Sequence, residues 1–333
     1  MRYLQFLEQV KENVGKKVSE RYGDGYVVTI KKVLKNNSQS KEAVLISSSK
    51  VDVTPTIYLK DYYEDYKNGK SMEVISNEII TIYEKSRLDD DINVELFKDF
   101  EKVKERIVFK IINTKSNRKL LERVPHRTFM DLSIVCFCIL DEQMKGKATV
   151  LIHNSHLLLW GINEGELFNL AIVNTPKIMK PVIKTMREVL SEILTFDLME
   201  ETGLVKEEGD MMLSEETPVY KAKAENIIER IDGTNECFNM YVLTNTLKLY
   251  GASCIAYKDC QKEFSREHGM KELFIIPSSV HEVILIPDTE MISCGEINGM
   301  ISQINENEVE ATDVLSNHLY KYIFETNEIM AMP

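Results

Sequence analysis

Two segments of this chain each set a pair of strand-length apolar runs around a short polar stretch, and that pairing restricts the fold more than any other feature. In "LSIVCFCILDEQMKGKATVLIHN" the runs flank "DEQMKG", and in "FIIPSSVHEVILIP" they flank Pro277, Ser278, Ser279, His281 and Glu282. Connections this short join antiparallel neighbours, because a parallel pair needs a crossover of about a dozen residues or more. β-Branched and aromatic residues are frequent in these runs, so each pair reads as a hairpin buried on at least one face. A third pair, "YVVTIKKVL" and "EAVLIS", flanks "KNNSQSK" and reads as a hairpin with a long loop.

Helical spacing fills much of the remainder. Residues 1–20 carry Leu4, Leu7, Val14 and Val18 at helical intervals and end near Gly23-Asp24-Gly25. After Pro55, "IYLKDYYEDYKNG" and "SMEVISNEIITIYEKS" predict helices. The second has Ser71 and Glu73 at its start and Val74, Ile75, Ile79, Ile80 and Ile82 on its apolar side. Asn163 and Glu166 form a capping pair for a helix that buries Leu167, Leu170 and Ala171 and stops at Pro176. Pro181 is expected to open a further helix lined by Val182, Met186, Leu190 and Ile193.

Downstream, residues 197–230 read as acidic and irregular, a linker or lid. "FNMYVLTN" and "GASCIAY" are expected to pair around "TLKLY", followed by a helix from about Lys258 to His268 closed by Gly269. "GEINGMISQIN" predicts a helix with Ile297, Met300, Ile301 and Ile304 inward. Strands and helices come in runs rather than in strict alternation. The expected class is therefore α+β, with antiparallel hairpins packed with helices in two mixed sheets or lobes. A chain of 333 residues is long enough for about two domains. The expected divisions are 1–92, 93–196, the linker 197–230, and 231–333. The charged "RLDDDINVE" marks the first boundary. Its aspartates lack the alternation, glycine and terminal Glu of a calcium loop, so it reads as solvated surface.

Composition narrows the function. The formal net charge of −12 argues against broad contact with phosphate backbones or anionic lipid, so neither nucleic acid nor membrane is an expected partner. No uncharged apolar run approaches the ~18 residues of a membrane span. Glu8, Lys11 and Glu12 interrupt any signal-peptide core. The six cysteines include no C-x-x-C pair and fit the reduced thiols of a cytoplasmic, bacterial-type protein.

The chemistry-bearing residues read mainly as structure. In an extended strand Ser279 and His281 would stand about 6.6 Å apart, twice the strand rise, which exceeds hydrogen-bond reach. Glu282 would point to the opposite face, so Ser278, Ser279, His281 and Glu282 read as a turn, with a polar ligand contact as the functional option. His153 and His156 show a metal-pair spacing without further ligands and read as hydrogen-bonded residues at a strand–helix corner. Cys136 and Cys138 share one side of an apolar strand, and Trp160 reads as a packing anchor. Tyr250-Gly251 marks a turn or bulge where backbones approach.

The phrases "VPHRTFMDLSIVCFCIL", "VLIHNSHLLLWGINEGELFNLAIVNTP", "YVLTNTLKLYGASCIAY" and "ELFIIPSSVHEVILIP" resemble a bacterial domain-of-unknown-function family common in gut-dwelling anaerobes. The likeness spans most of the chain. Over roughly residues 125–320 the pattern is also similar to the YtpQ family. Neither resemblance supplies catalytic residues. The sequence reads as a non-catalytic interaction or ligand-binding protein with an unknown protein or small-molecule partner and no cofactor. The alternative is a hydrolase or metal-dependent enzyme assembled from dispersed residues such as His126, His153, His281 and Glu282.

Overall fold

The structure is a computed structural model that describes residues 1–48, 56–88, 95–140, 148–205, 217–231, 240–288 and 294–332. The class is α+β, with three sheets of antiparallel strands. The chain divides into two compact units. The first comprises Met1–Val108, Lys115–His126 and Cys136–Ala171, and the second Phe109–Thr114, Arg127–Val135 and Ile172–Pro333.

Helix α1 (Tyr3–Tyr22) forms because Phe6, Leu7, Val10, Val14 and Val18 recur every three or four residues and bury one stripe. Leu4 lies off that stripe and is 73% exposed. Gly23 ends the helix at φ 80°, donating its N–H to the Ser19 carbonyl. The long-loop hairpin is present as β1 (Tyr26–Leu34) and β2 (Ser40–Ser48), in register from Tyr26↔Ser48 to Leu34↔Ser40. A short strand, β3 (Ile57–Tyr58), precedes α2 (Lys60–Lys67) and pairs with β2. In α3 (Met72–Leu88), Ile75, Ile79 and Ile80 are buried, whereas Val74 and Ile82 face solvent. All these elements contribute to one apolar core.

Two single turns, α4 (Glu95–Lys98) and α5 (Phe100–Val103), lead into β4 (Ile107–Asn113). After the turn α6 (Arg118–Leu121) come β5 (His126–Phe129), β6 (Leu132–Ile139) and β7 (Thr149–Leu151). The sheet order is β4-β6-β5, with β7 also on β6, so the hairpin around "DEQMKG" is present. Residues 141–147 and most of "RLDDDINVE" lie outside the described residues.

The next helices are α7 (Asn154–Trp160) and α8 (Glu164–Ile178). Asn163 Oδ1 accepts the Glu166 N–H at 3.0 Å and Glu166 Oε2 accepts the Asn163 N–H at 2.9 Å, completing the expected cap. Pro176 does not stop α8, which runs on to Ile178. A proline in the final turn removes a single helical donor, a smaller disruption than one in the middle.

The second unit is built on a six-stranded sheet whose strands, in spatial order, cover residues 328–331, 320–323, 272–276, 283–287, 241–245 and 181–185. Pro181 opens strand β8 (Pro181–Thr185) rather than a helix. Its missing N–H is tolerated at the first residue of an edge strand. Thr185 and Glu188 then form a capping box that starts α9 (Met186–Glu201). The expected apolar face is consequently redistributed. Ser191, Thr195 and Met199 are buried, while Leu190 and Ile193 are exposed. Within the stretch read as irregular, residues 217–231 form α10 (Thr217–Ile231).

Strand β9 (Tyr241–Asn245) pairs with β8 and, on its other side, with residues 283–285 rather than with "GASCIAY". Gly251–Ala256 is a buried 3₁₀ turn. Asn245 makes this possible, because Oδ1 accepts the Leu247 and Leu249 N–H groups while Nδ2 donates to the Leu249 carbonyl. The side chain thus replaces a ladder as partner for the loop backbone. Helix α11 (Cys260–His268) follows, closed by Gly269 at φ 66° as expected. β10 (Glu272–Ile276) and β11 (Val283–Pro287) form the second hairpin. In α12 (Cys294–Asn307) Ile297 and Ile301 are inward, but Met300 and Ile304 are not. The hairpin β12 (Tyr320–Ile323) and β13 (Glu328–Ala331) completes the sheet.

Among the described glycines, Gly251 stands at the tightest backbone approach. A Cβ there would lie 2.1 Å from Thr244 Oγ1 and 2.4 Å from the His281 carbonyl oxygen, whereas one at Gly15 would meet nothing within 4 Å. Gly251→Ala is expected to lower the urea midpoint by the equivalent of about 2–3 kcal/mol. Gly15→Ala, inside α1, is expected to raise it by up to about 1 kcal/mol. Equal midpoints for the two variants would contradict this packing.

Candidate functional site

The Pro277–Glu282 segment joins β10 to β11 as a closed turn. The Ser279 hydroxyl donates to Glu282 Oε1 at 2.9 Å and accepts the His281 backbone N–H at 2.9 Å. The Ser279 N–H donates to the Glu282 carbonyl at 3.1 Å. The serine thus contacts the carboxylate three residues on, and its hydroxyl makes no bond to the imidazole. His281 Nδ1 instead accepts the Tyr250 N–H at 3.3 Å, and its ring stacks on Tyr250 at 5.7 Å. That bond places the proton of the neutral ring on Nε2, leaving no lone pair there for a general base. Lys110 Nζ lies 3.8 Å from the other partner in this stack, the Tyr250 ring. Ser278 is half-buried, its N–H donated to the Ile276 carbonyl.

His153 and His156 stand at the start of α7, as a strand–helix corner requires. His156 Nδ1 accepts the His153 N–H at 3.1 Å, so the second imidazole caps the helix. Burial, then the neighbouring His153, pushes the His156 pKa below its ordinary value. Its ring packs edge-on against Phe97. Trp160 donates its indole N–H to the Phe97 carbonyl at 2.9 Å and anchors the same cluster. Among the described residues no group of three or more His, Cys, Asp or Glu side chains is placed to hold a metal ion.

Two arrangements went unrecognised in the sequence. Asp131 is the first. Its Oδ1 accepts the Tyr320 hydroxyl at 2.7 Å, and Oδ2 accepts the Ser316 hydroxyl at 2.7 Å. Oδ2 also lies 3.1 Å from His318 Nδ1. Ser316 and Tyr320 are fully buried, and burial followed by the Asp131 charge pushes the Tyr320 phenol far above its usual range. No local pattern announced it, because the chain bends at residues 317–318, with the His318 N–H donated to Ser316 Oγ, before it enters the strand at Tyr320.

The second is a groove of about 330 Å³ between the β8–β9 face and α11. Pro181, Ile183 and Thr185 alternate along β8, and Thr185 is in register with Tyr241. Opposite stand Cys260, Glu263, Phe264, Glu267 and His268, with Glu188 at the start of α9. Tyr241, Phe264 and His268 form an aromatic wall, with Phe264 and His268 centroids 4.3 Å apart. His268 Nδ1 donates to the Phe264 carbonyl at 2.9 Å, which leaves Nε2 as an acceptor in the neutral ring. Glu188 is held below the usual carboxylate range by the Thr185 N–H and hydroxyl, and so stays ionised.

Four of the cysteines among the described residues are packing residues. Cys136, Cys138, Cys254 and Cys260 are all buried, and burial pushes the Cys138 and Cys260 thiols up to about 12. At pH 8 a maleimide is expected to label Cys294, which is half-buried, and to reach these four only in denaturant. Peptide mapping that finds any of the four modified in the native protein would contradict the assignment. Asp131→Asn is expected to cost about 1–3 kcal/mol in a urea titration, since it weakens the acceptor of two buried hydroxyls. The raised Tyr320 pKa works in one direction. Its contribution is complete below about pH 10 and is lost as pH rises through the folded value, so its tyrosinate absorbance should appear only with unfolding.

No helix among the described residues is long and apolar enough to cross a membrane. Comparison with curated proteins and with solved structures finds no match. A family model described as a family of unknown function (DUF5688) matches residues 3–323. The chain belongs to that family.

Proposed function

We propose that this protein binds a ligand or partner without catalysing a reaction on it, and that the groove between β8, β9 and α11 is its binding site. The observation that carries this reading is the contrast between the two polar clusters of the second unit. At the Ser279 turn the hydroxyl, the carboxylate and Nδ1 of the imidazole are engaged with one another or with backbone. In the groove, an aromatic wall and acidic side chains face an open volume of small-molecule size. His281, Ser278 and α7 (Asn154–Trp160) with its capping residue His153 remain in the proposal as surfaces a protein partner would touch. The reading takes the protein as cytoplasmic and bacterial, with YtpQ-like relatives, in keeping with its acidity and with cysteines that form no C-x-x-C motif in the sequence.

A second reading, an enzyme, draws support from Asp131 and His318. A carboxylate on Nδ1 with the ring about half exposed is how a general base is oriented. Against it, Ser316 is hydrogen-bonded to Asp131 on the Nδ1 side, so no described side chain stands as nucleophile at Nε2. Esterase and phosphatase screens, run beside protein-observed NMR with a fragment set, separate the two. Binding is expected to broaden or shift the Tyr241 and His268 resonances, with no turnover above buffer. Turnover abolished by His318→Ala or His281→Ala but retained in Glu8→Gln would replace this proposal with the enzyme.

A further inference from the structure

The polar lining of the groove is dominated by hydrogen-bond acceptors, with the Tyr241 phenol able to donate as well as accept. Glu188, Glu263 and Glu267 are acceptors only when ionised, and His268 offers an acceptor at Nε2. Neither Lys nor Arg lines it. The one hydroxyl on β8, that of Thr185, already donates to Glu188 Oε2 at 2.8 Å. The Cys260 thiol lines the groove, is 8% exposed, and makes no hydrogen bond among the described residues. A ligand here must bring donors and positive charge.

The spacing of the carboxylates decides which kind of cation. Glu263 and Glu267 sit one turn apart on α11, about 5–6 Å between Cβ atoms. Glu188 comes from a different helix, across the β8 face. They do not converge as ligands on one metal ion. The same groove presents apolar and aromatic surface from Ile183, Tyr241 and Phe264. An extended chain of methylenes punctuated by ammonium groups matches that mixture. Its charges meet separate carboxylates while its aliphatic stretches cover the rings, where cation–π attraction adds to the fit.

We infer that the groove formed by β8, β9 and α11 binds a linear aliphatic polyamine. This rests on the proposed binding function and names the ligand class of that site. A compact divalent ion would leave the aromatic wall uncovered, and an anion would meet three carboxylates.

The test is calorimetric titration of the full chain with spermidine at 0.15 M salt, with n-butylamine and Mg²⁺ as controls. Saturable binding of spermidine is expected, with both controls much weaker. The double variant Glu263→Gln/Glu267→Gln, which alters two exposed positions, is expected to weaken binding by at least about tenfold. Glu8→Gln/Glu12→Gln removes the same charge from α1 and is expected to leave affinity unchanged. An unchanged melting temperature in both variants excludes misfolding as the cause. Absence of binding, equal losses in the two variants, or a Mg²⁺ response matching that of spermidine would overturn the polyamine assignment. Fragments that still perturb Tyr241 and His268 in that event would leave the binding function standing; silence from both experiments would remove both.

Discussion

The second unit depends on how closely its backbone segments approach at Gly251. The absence of a Cβ lets the 3₁₀ turn press against Thr244, Asn245 and the carbonyl of His281. Thr244 donates to that same carbonyl at 2.8 Å, and Ala252 donates to Val280. The contact therefore ties the end of β9 to the turn before β11 and sets where the next residues go. Tyr250, held in the left-handed region at φ 50°, stacks on His281 as a consequence. Ser253 is carried to the Ile111 N–H of β4. A side chain at position 251 would push these segments apart, and close-packed interiors give little room to absorb such a shift.

The same geometry explains why the polar residues around position 280 form a support. The Ser279 hydroxyl and the Glu282 carboxylate find partners within a tight turn, and the His281 imidazole finds its partner in the backbone N–H of Tyr250. The groove differs because its walls come from distant parts of the unit. The β8–β9 register aligns Thr185 with Tyr241, and α11 brings its own carboxylates one turn apart. Asp131 is an intermediate case, a partly exposed carboxylate surrounded by hydroxyls and an imidazole. It couples the segment before β6 to the segment leading into β12.

Much of the architecture was legible where the signal was local. The paired apolar runs marked the hairpins β6–β7 and β10–β11, and Asn163 with Glu166 marked the start of α8. Gly269 marked the end of α11. Misreadings arose where two local signals competed. Pro181 suits the first turn of a helix, but "PVIKT" pairs along β9, and the Thr185–Glu188 box places the helix start five residues later. In "GASCIAY" the β-like composition yields to side-chain hydrogen bonds from Asn245 and the close approach at Gly251. Helix faces were displaced for a similar reason. Periodicity identifies an apolar stripe, while the neighbour actually packed against it selects which residues are covered, as Leu190 and Met300 show.

From its sequence alone, this protein is determined to be α+β, to pair its strands as antiparallel hairpins, and to carry strong negative charge. Each of those properties arises from interactions within a few residues or from composition. Tertiary structure alone decided that Ser279 turns to Glu282 rather than to an imidazole, that Asp131 gathers Ser316, His318 and Tyr320, and that Tyr241 faces α11 across a groove. Those outcomes depend on strand register and on the turns between strands. A shift of one residue in either reverses the face a side chain occupies.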